Sequence, residues 1–326
     1  MMTQKLKGTD YTVSRLVMGC MRTGGAWDDS DPEREVIDKA LRLFEAALGA
    51  GINHFDHADI YGRGRAEKVF SHVWTEGLAR REDLIVQSKC GIRFPGDPEA
   101  SSPGRYDFSR DHILGSVDAS LRRLRTDYLD ILLLHRPDPL ADPDEIAAAF
   151  EALQRAGKVR YFGVSNHTPA QIALLQKSLG QKIIINQIQF NLAFAHAVEA
   201  GIVAGYGEQG ISTRGEGILE YCRLHDITVQ AYAPVAEGRL TRPGVESAGD
   251  PPAATAALLG QLAEKYQVSP EAILLAWILR LPGGIQPVLG TTDPGRLQHC
   301  SQATGVELSR EEWYALFTRS RGRAVP

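Results

Sequence analysis

The feature that most limits what this chain can fold into is a repeated alternation of short apolar runs with longer stretches of helical periodicity. Residues 16–19 form an apolar run, and residues 32–48 place Val36, Ala40, Leu43 and Ala47 at helical spacing. The same reading predicts strands over 53–58, 84–89, 128–135, 159–164, 183–189, 228–232 and 287–289. It predicts further helices over 66–75, 110–124, 144–156, 169–179, 218–224, 255–266, 270–281 and 308–318. The last helix has Ser309 as its N-cap and Glu312 three residues on. Residues 128–135 are nearly all apolar, as in a strand buried on both faces. Strict alternation implies parallel strands. About eight such units in one chain favour a closed α/β barrel of the (β/α)8 TIM type over its rival, an open doubly wound sheet. No linker-like break interrupts the pattern, so residues 1–326 are expected to form one barrel domain. Two long loops follow strands, over 93–108 and 191–217, and both are expected above the C-terminal ends of the strands.

Composition narrows the function classes. A chain of 326 residues buries a large core without staples. A formal net charge of −4 gives no electrostatic reason to expect a nucleic-acid partner. No apolar run approaches the roughly 18 residues needed to span a bilayer, and residues 1–10 lack the apolar centre of a secretory signal. Cys20, Cys90, Cys222 and Cys300 are dispersed, with no C-x-x-C pair. This argues against a zinc ribbon or a disulfide framework. Reduced thiols in a cytoplasmic protein are the expectation.

Chemistry in a barrel collects where strands end. The polar residues at those points are Asp56, Tyr61, Lys89, His135, Ser165, Asn166, Gln187 and Tyr232. A free tyrosine, with a pKa near ~10, gives up its proton poorly at neutral pH. A lysine cation beside it lowers that value, and a buried lysine in turn needs a carboxylate. A histidine can orient a substrate oxygen. Asp56, Tyr61, Lys89 and His135 therefore make a tuned general acid for protonating an alkoxide.

Five segments carry a family resemblance. Phe55-Asp56-His57-Ala58-Asp59-Ile60-Tyr61-Gly62 resembles the F-D-T-A-x-x-Y-G signature of aldo-keto reductases. Ser88-Lys89, Leu132-Leu133-Leu134-His135, Gly163-Val164-Ser165-Asn166 and Asn186-Gln187 follow in the family's order. The wording H-A-D-I-Y-G, S-K-C-G-I and H-R-P-D-P-L is similar to a bacterial oxidoreductase subgroup. The resemblance covers residues 16–318 and implies a role for each matched position. Tyr61 would donate the proton, Lys89 and Asp56 would tune it, and His135 would orient the carbonyl. Ser165, Asn166 and Gln187 would hold the nicotinamide carboxamide, with Tyr232 stacked on its ring. Ala233, Pro234, Gly238, Arg239 and Leu240 would close over the pyrophosphate, and Gly19, Met21 and Asp56 would also line the cofactor site.

Gly290, Thr291, Thr292 and Arg296 resemble the family's site for the adenosine 2′-phosphate. A helix N-terminus and an arginine fork suit that group. NADPH is accordingly expected over NADH, with a small carbonyl or alcohol as substrate. His299 and Cys300 depart from the Glu-Asn pair that holds the adenine in many members. Trp27 and Phe94 are candidates for the substrate pocket, or for ordinary loop packing. The loops after Arg93 and Asn191 match no family pattern and leave the substrate open.

Other readings remain. Gly205-Tyr206-Gly207-Glu208-Gln209-Gly210 fits G-x-G-x-x-G, but no clear strand leads into it. His54, Asp56, His57 and Asp59 invite a metal-dependent barrel hydrolase, a reading that leaves Tyr61 unexplained. No metal is expected, and His54 and His57 are expected as hydrogen-bonded structural residues. Some relatives of the family serve as accessories to ion channels, so a cofactor-binding regulatory subunit is a further alternative.

Overall fold

The computed structural model describes residues 2–202, 217–241 and 253–325. Its centre is a closed barrel of eight parallel strands. In chain order these are β1 (Val17–Gly19), β2 (His54–Asp56), β3 (Ile85–Cys90), β4 (Leu129–Leu134), β5 (Val159–Ser165), β6 (Ile183–Gln189), β7 (Thr228–Tyr232) and β8 (Gln286–Leu289). Each strand pairs with its neighbours in sequence. The ring closes where Val288 and Leu289 of β8 lie opposite Val17 and Met18 of β1. The closure explains Gly19: a Cβ there would lie 2.7 Å from the Leu289 carbonyl oxygen.

The alternation of side chains along each strand separates two cores. Outward residues such as Phe55, Val86, Leu132 and Phe162 join the helices in one large cluster. Inward residues Ile85, Ile131, Leu133 and Ile185 form a second cluster with Leu6 and Val13. Those two come from an antiparallel hairpin, Thr3–Lys5 with Thr12–Ser14, that plugs the N-terminal end of the barrel. The plug leaves the opposite end, where strands give way to loops, as the place for polar chemistry.

Helices fall where the periodicity places them. Arg110–Leu124 matches its predicted bounds, and Arg310–Arg321 begins with the Ser309/Glu312 capping box. The helix expected over 66–75 is two pieces, Arg65–Phe70 and His72–Thr75. They part at Ser71, whose hydroxyl donates back to the Lys68 carbonyl at 2.7 Å. Among the described residues, several elements were not predicted, including the helix Pro294–Ser301 and short 3-10 segments. Others are the N-terminal hairpin, a two-residue hairpin of Ile92–Arg93 with Arg105–Tyr106, and the helix His196–Ile202. Residues 203–216, including the G-x-G-x-x-G segment, lie outside the described residues. Among the described residues no helix is long and apolar enough to cross a membrane.

Candidate active site

The site is built on the last inward positions of adjacent strands. Ile85, Gln87 and Lys89 alternate along β3, so Lys89 stands two steps above the apolar plug and one above Gln87. Asp56 ends β2, beside Gln87 in register. After Asp56 the chain turns and enters a short 3-10 segment, Tyr61–Gly64, with Gly62, Arg63 and Gly64 at φ 56°, 53° and 88°. Such angles suit glycine and cost an arginine about 1–2 kcal/mol. The turn before this segment, closed by the Tyr61 N–H to the Ala58 carbonyl at 3.0 Å, sets the Tyr61 ring beside the lysine, whose ammonium lies 4.8 Å from the ring centre.

Lys89 is 1% exposed and fully engaged. Its ammonium donates to both Asp56 carboxylate oxygens at 2.7 Å, to the His57 carbonyl at 2.9 Å and to the Tyr61 hydroxyl at 3.0 Å. Burial opposes the lysine's charge, but Asp56 and Tyr61 outweigh it and hold its pKa above the ordinary value. Tyr61 accepts from Lys89, which leaves its own proton free among the described residues. Its pKa runs against the sequence expectation. Burial pushes the phenol up, the Lys89 cation only partly offsets this, and the net shift is upward.

His135 completes the group. Its ring lies 6.0 Å from that of Tyr61 at an interplanar angle of 81°. Burial, with the Lys89 and Arg136 charges, holds its pKa well below the usual histidine value, so the ring is neutral at pH 7. Among the described residues its Nδ1 is buried without a hydrogen-bond partner.

Sequence reasoning singled out Gln187 but missed Gln87, Gln230 and Gln286, which form a layer with it beneath this group. Gln87 and Gln187 each donate to Asp56 Oδ1, at 2.5 and 3.0 Å. Each also lies 2.9 Å from Gln230 Oε1. Gln230 donates to Gln286 at 3.4 Å, and Gln286 donates to the Ser14 carbonyl at 2.9 Å. The signal was present as single glutamines inside otherwise apolar strands. A buried amide must find partners, and here the partners are one another and the Asp56 carboxylate.

The expected nicotinamide contacts lie on the adjoining strands. Ser165 donates to the Gln187 carbonyl at 2.9 Å and accepts from the Asn166 amide at 2.8 Å. Asn166 also accepts from the Tyr232 hydroxyl at 3.0 Å. The side-chain oxygen of Gln187 accepts no hydrogen bond among the described residues, although the residue is 3% exposed. An amide oxygen in that state can accept from a carboxamide N–H, whereas the buried unpartnered oxygen of the glutamine layer is that of Gln87. Ala233, Ala236, Glu237 and Gly238 all have positive φ and fold the segment after β7 back on itself. Leu240 is buried, and Arg239 donates weakly to the Ala236 carbonyl.

The far side of the mouth is open. Gly290, Thr291 and Thr292 lead into the helix Pro294–Ser301, and the Arg296 side chain is exposed. The helix N-terminus is already occupied. Asp293 accepts from the Arg296 backbone N–H at 2.7 Å, and Pro294 has no N–H to offer. Cys300 is buried at 5% exposure and turned to the core, while His299 is exposed. Met21 and Trp27 are half exposed, and Phe94 is half buried with the Arg63 guanidinium 4.6 Å from its ring centre.

The histidines in and just after β2 are core residues. His54 and His57 are fully buried, and burial lowers their pKa values to about 4 and about 3. His57 packs against Phe70, and among the described residues the ring nitrogens of both His54 and His57 have no hydrogen-bond partner, against the expectation. Among the described residues no three His, Cys, Asp or Glu side chains converge to hold a metal.

Known proteins resemble this chain in sequence and in fold. The chain is 34% identical to the uncharacterized oxidoreductase YcsN of Bacillus subtilis, over 97% of each chain. It is 33% identical to a 6-dehydroglucose reductase of Agrobacterium fabrum, over 96% of each. The structure superposes on that of a glycerol dehydrogenase from Gluconobacter oxydans with a TM-score of 0.77, at 26% identity, covering 96% of this chain and 93% of the other. Residues 15–317 match the model of the aldo/keto reductase family. The chain belongs to that family, whose members are oxidoreductases acting on carbonyl and alcohol groups.

Proposed function

We propose that this protein is an NADPH-dependent reductase of aldehyde or ketone carbonyls. The observation that carries the reading is the buried Lys89 ammonium, held between the Asp56 carboxylate at 2.7 Å and the Tyr61 hydroxyl at 3.0 Å. A bound nicotinamide would supply the hydride. Ser165, Asn166 and Gln187 would hold its carboxamide, and Tyr232 would flank its ring. The side chains of this chain do the rest. His135, neutral at pH 7, directs the carbonyl oxygen toward Tyr61. Tyr61 gives its unused proton to that oxygen as charge develops, and Lys89 compensates the phenolate left behind. The raised phenol pKa suits this direction, because the acid stays protonated across neutral pH.

The preference for NADPH rests on the exposed Arg296 fork, since Asp293 and Pro294 remove much of the helix's own capacity for phosphate. The names of two relatives, a 6-dehydroglucose reductase and a glycerol dehydrogenase, both concern interconversion of a carbonyl and an alcohol. The test is a titration of the protein with NADPH and with NADH, followed by quenching of intrinsic fluorescence. NADPH should bind the more tightly. Arg296→Ala should weaken NADPH binding by about 10- to 100-fold and leave NADH unaffected. Binding of neither cofactor contradicts the proposal.

A further inference from the structure

Arg136 follows His135 directly and is half-buried at the end of β4. The proton transfer leaves it unexplained. Its guanidinium carbon lies 6.0 Å from the centre of the Tyr232 ring, within cation–π reach. The Tyr232 hydroxyl donates to Asn166 at 3.0 Å, and the Asn166 amide donates to the His135 carbonyl at 3.4 Å. The arginine therefore stands between the histidine proposed to orient the carbonyl and the ring proposed to flank the nicotinamide. Its charge reaches the imidazole, which burial, the Lys89 cation and Arg136 together hold in the neutral form.

A guanidinium carries five N–H donors. Among the described residues, no protein group accepts from those of Arg136, and no carboxylate pairs with it. The nearest acid in sequence is committed elsewhere. Asp138 accepts from the Phe108 N–H at 3.1 Å with one oxygen and from the Leu140 N–H at 2.9 Å with the other. Pro137 fixes the backbone between the two residues, so the turn that engages Asp138 holds it to that role.

A half-buried cation without a counter-ion costs desolvation that the chain itself does not return. An anion brought by a ligand would return it. The phosphates of the cofactor are proposed to lie at residues 233–240 and 290–296, after β7 and β8, whereas Arg136 ends β4 beside the histidine that meets the carbonyl. We infer that Arg136 is a specificity-determining residue that binds a carboxylate of the substrate, so that the preferred substrates are carbonyl compounds bearing a negative charge within a few bonds of the reacting carbon. The inference rests on the reductase reading above. Arginine meets a carboxylate in a planar fork that a lysine does not reproduce.

The test compares kcat/KM for 4-oxobutanoate with that for butanal, using NADPH and the intact protein. Wild type should favour the acid by about tenfold or more. Arg136→Met should lower the acid-to-aldehyde ratio by about 10- to 100-fold, mainly through KM for the acid, and Arg136→Lys should recover part of it. Binding of butyrate to the protein loaded with NADP+, read by calorimetry, supplies a measure free of turnover. Arg136→Met should weaken it by a similar factor. A wild type that reduces both compounds equally well would overturn the inference and leave the reductase reading standing. So would an Arg136→Met protein that loses NADPH affinity at an unchanged acid-to-aldehyde ratio, since the guanidinium would then serve the cofactor. A wild type that reduces neither compound would overturn the reductase reading, and this inference with it.

Discussion

The two sides of the barrel mouth are built differently. Over β2, β3 and β4, Asp56, Tyr61 and Lys89 are buried and bonded to one another, with a glutamine layer beneath. Beyond β8, the Arg296 side chain is exposed, and the adjacent polar groups bond locally, Asp293 to a backbone N–H and Thr291 to Asp293. The fold thus assembles the groups of the proposed proton transfer in advance, whereas those proposed for the adenosine phosphate await their ligand. The contrast teaches where a substitution should act. On the first side one change should disturb several partners and alter turnover. On the second it should alter affinity alone.

Lys89→Met should break the first side most severely. Turnover should fall by about 10²- to 10⁴-fold. Stability should fall by about 3–5 kcal/mol, because a buried carboxylate is left uncompensated. Adding Asp56→Asn should restore most of the stability, read by denaturant unfolding, and none of the turnover. Recovery of activity in the double variant would show that Lys89 acts only as a structural counter-ion.

Gln87→Met should have a smaller effect of the same kind. Gln87 shares the Asp56 charge through a 2.5 Å hydrogen bond, and Asp56 pushes the Tyr61 phenol up. Removing the donor should raise that phenol further. Reduction requires the protonated phenol, so its rate is flat through neutral pH and is lost as pH rises through the folded-state value. The variant should lose this alkaline limb at higher pH than wild type, with kcat lower by about tenfold at most. A pH–rate profile that coincides with wild type would confine Gln87 to packing.

On the second side, Asp293→Asn should sharpen the contrast. It keeps a helix cap and removes a like charge near the proposed phosphate. NADPH should bind about threefold more tightly and NADH equally well. A change in turnover would contradict the division between the two sides.

Much of the barrel is legible in the sequence because strand and helix periods differ and each unit is long enough to show its own. The Ser309 cap and the bounds of Arg110–Leu124 follow from residue types alone. The two hairpins were hidden because their strands of two or three residues carry no period and, unlike the equally short Val17–Gly19 and His54–Asp56, stand outside the strand–helix alternation. The meeting of Asp56, Tyr61, Lys89 and His135 could be read from strand ends, but the balance of forces on Tyr61 could not. Burial outweighs the lysine there, and burial is a property of the assembled fold. The burial of Arg65 was obscured by its setting, since an arginine in Gly62-Arg63-Gly64-Arg65 looks like a solvated residue until the loop after β1 covers it.

The most direct test of the central claim is a single-turnover measurement of NADPH consumption with an aldehyde, comparing wild type with Tyr61→Phe. NADPH affinity is measured on the same samples. The account predicts that the variant loses about 10²- to 10⁴-fold in rate while its cofactor affinity is unchanged. A Tyr61→Phe protein that consumes NADPH at the wild-type rate would contradict it.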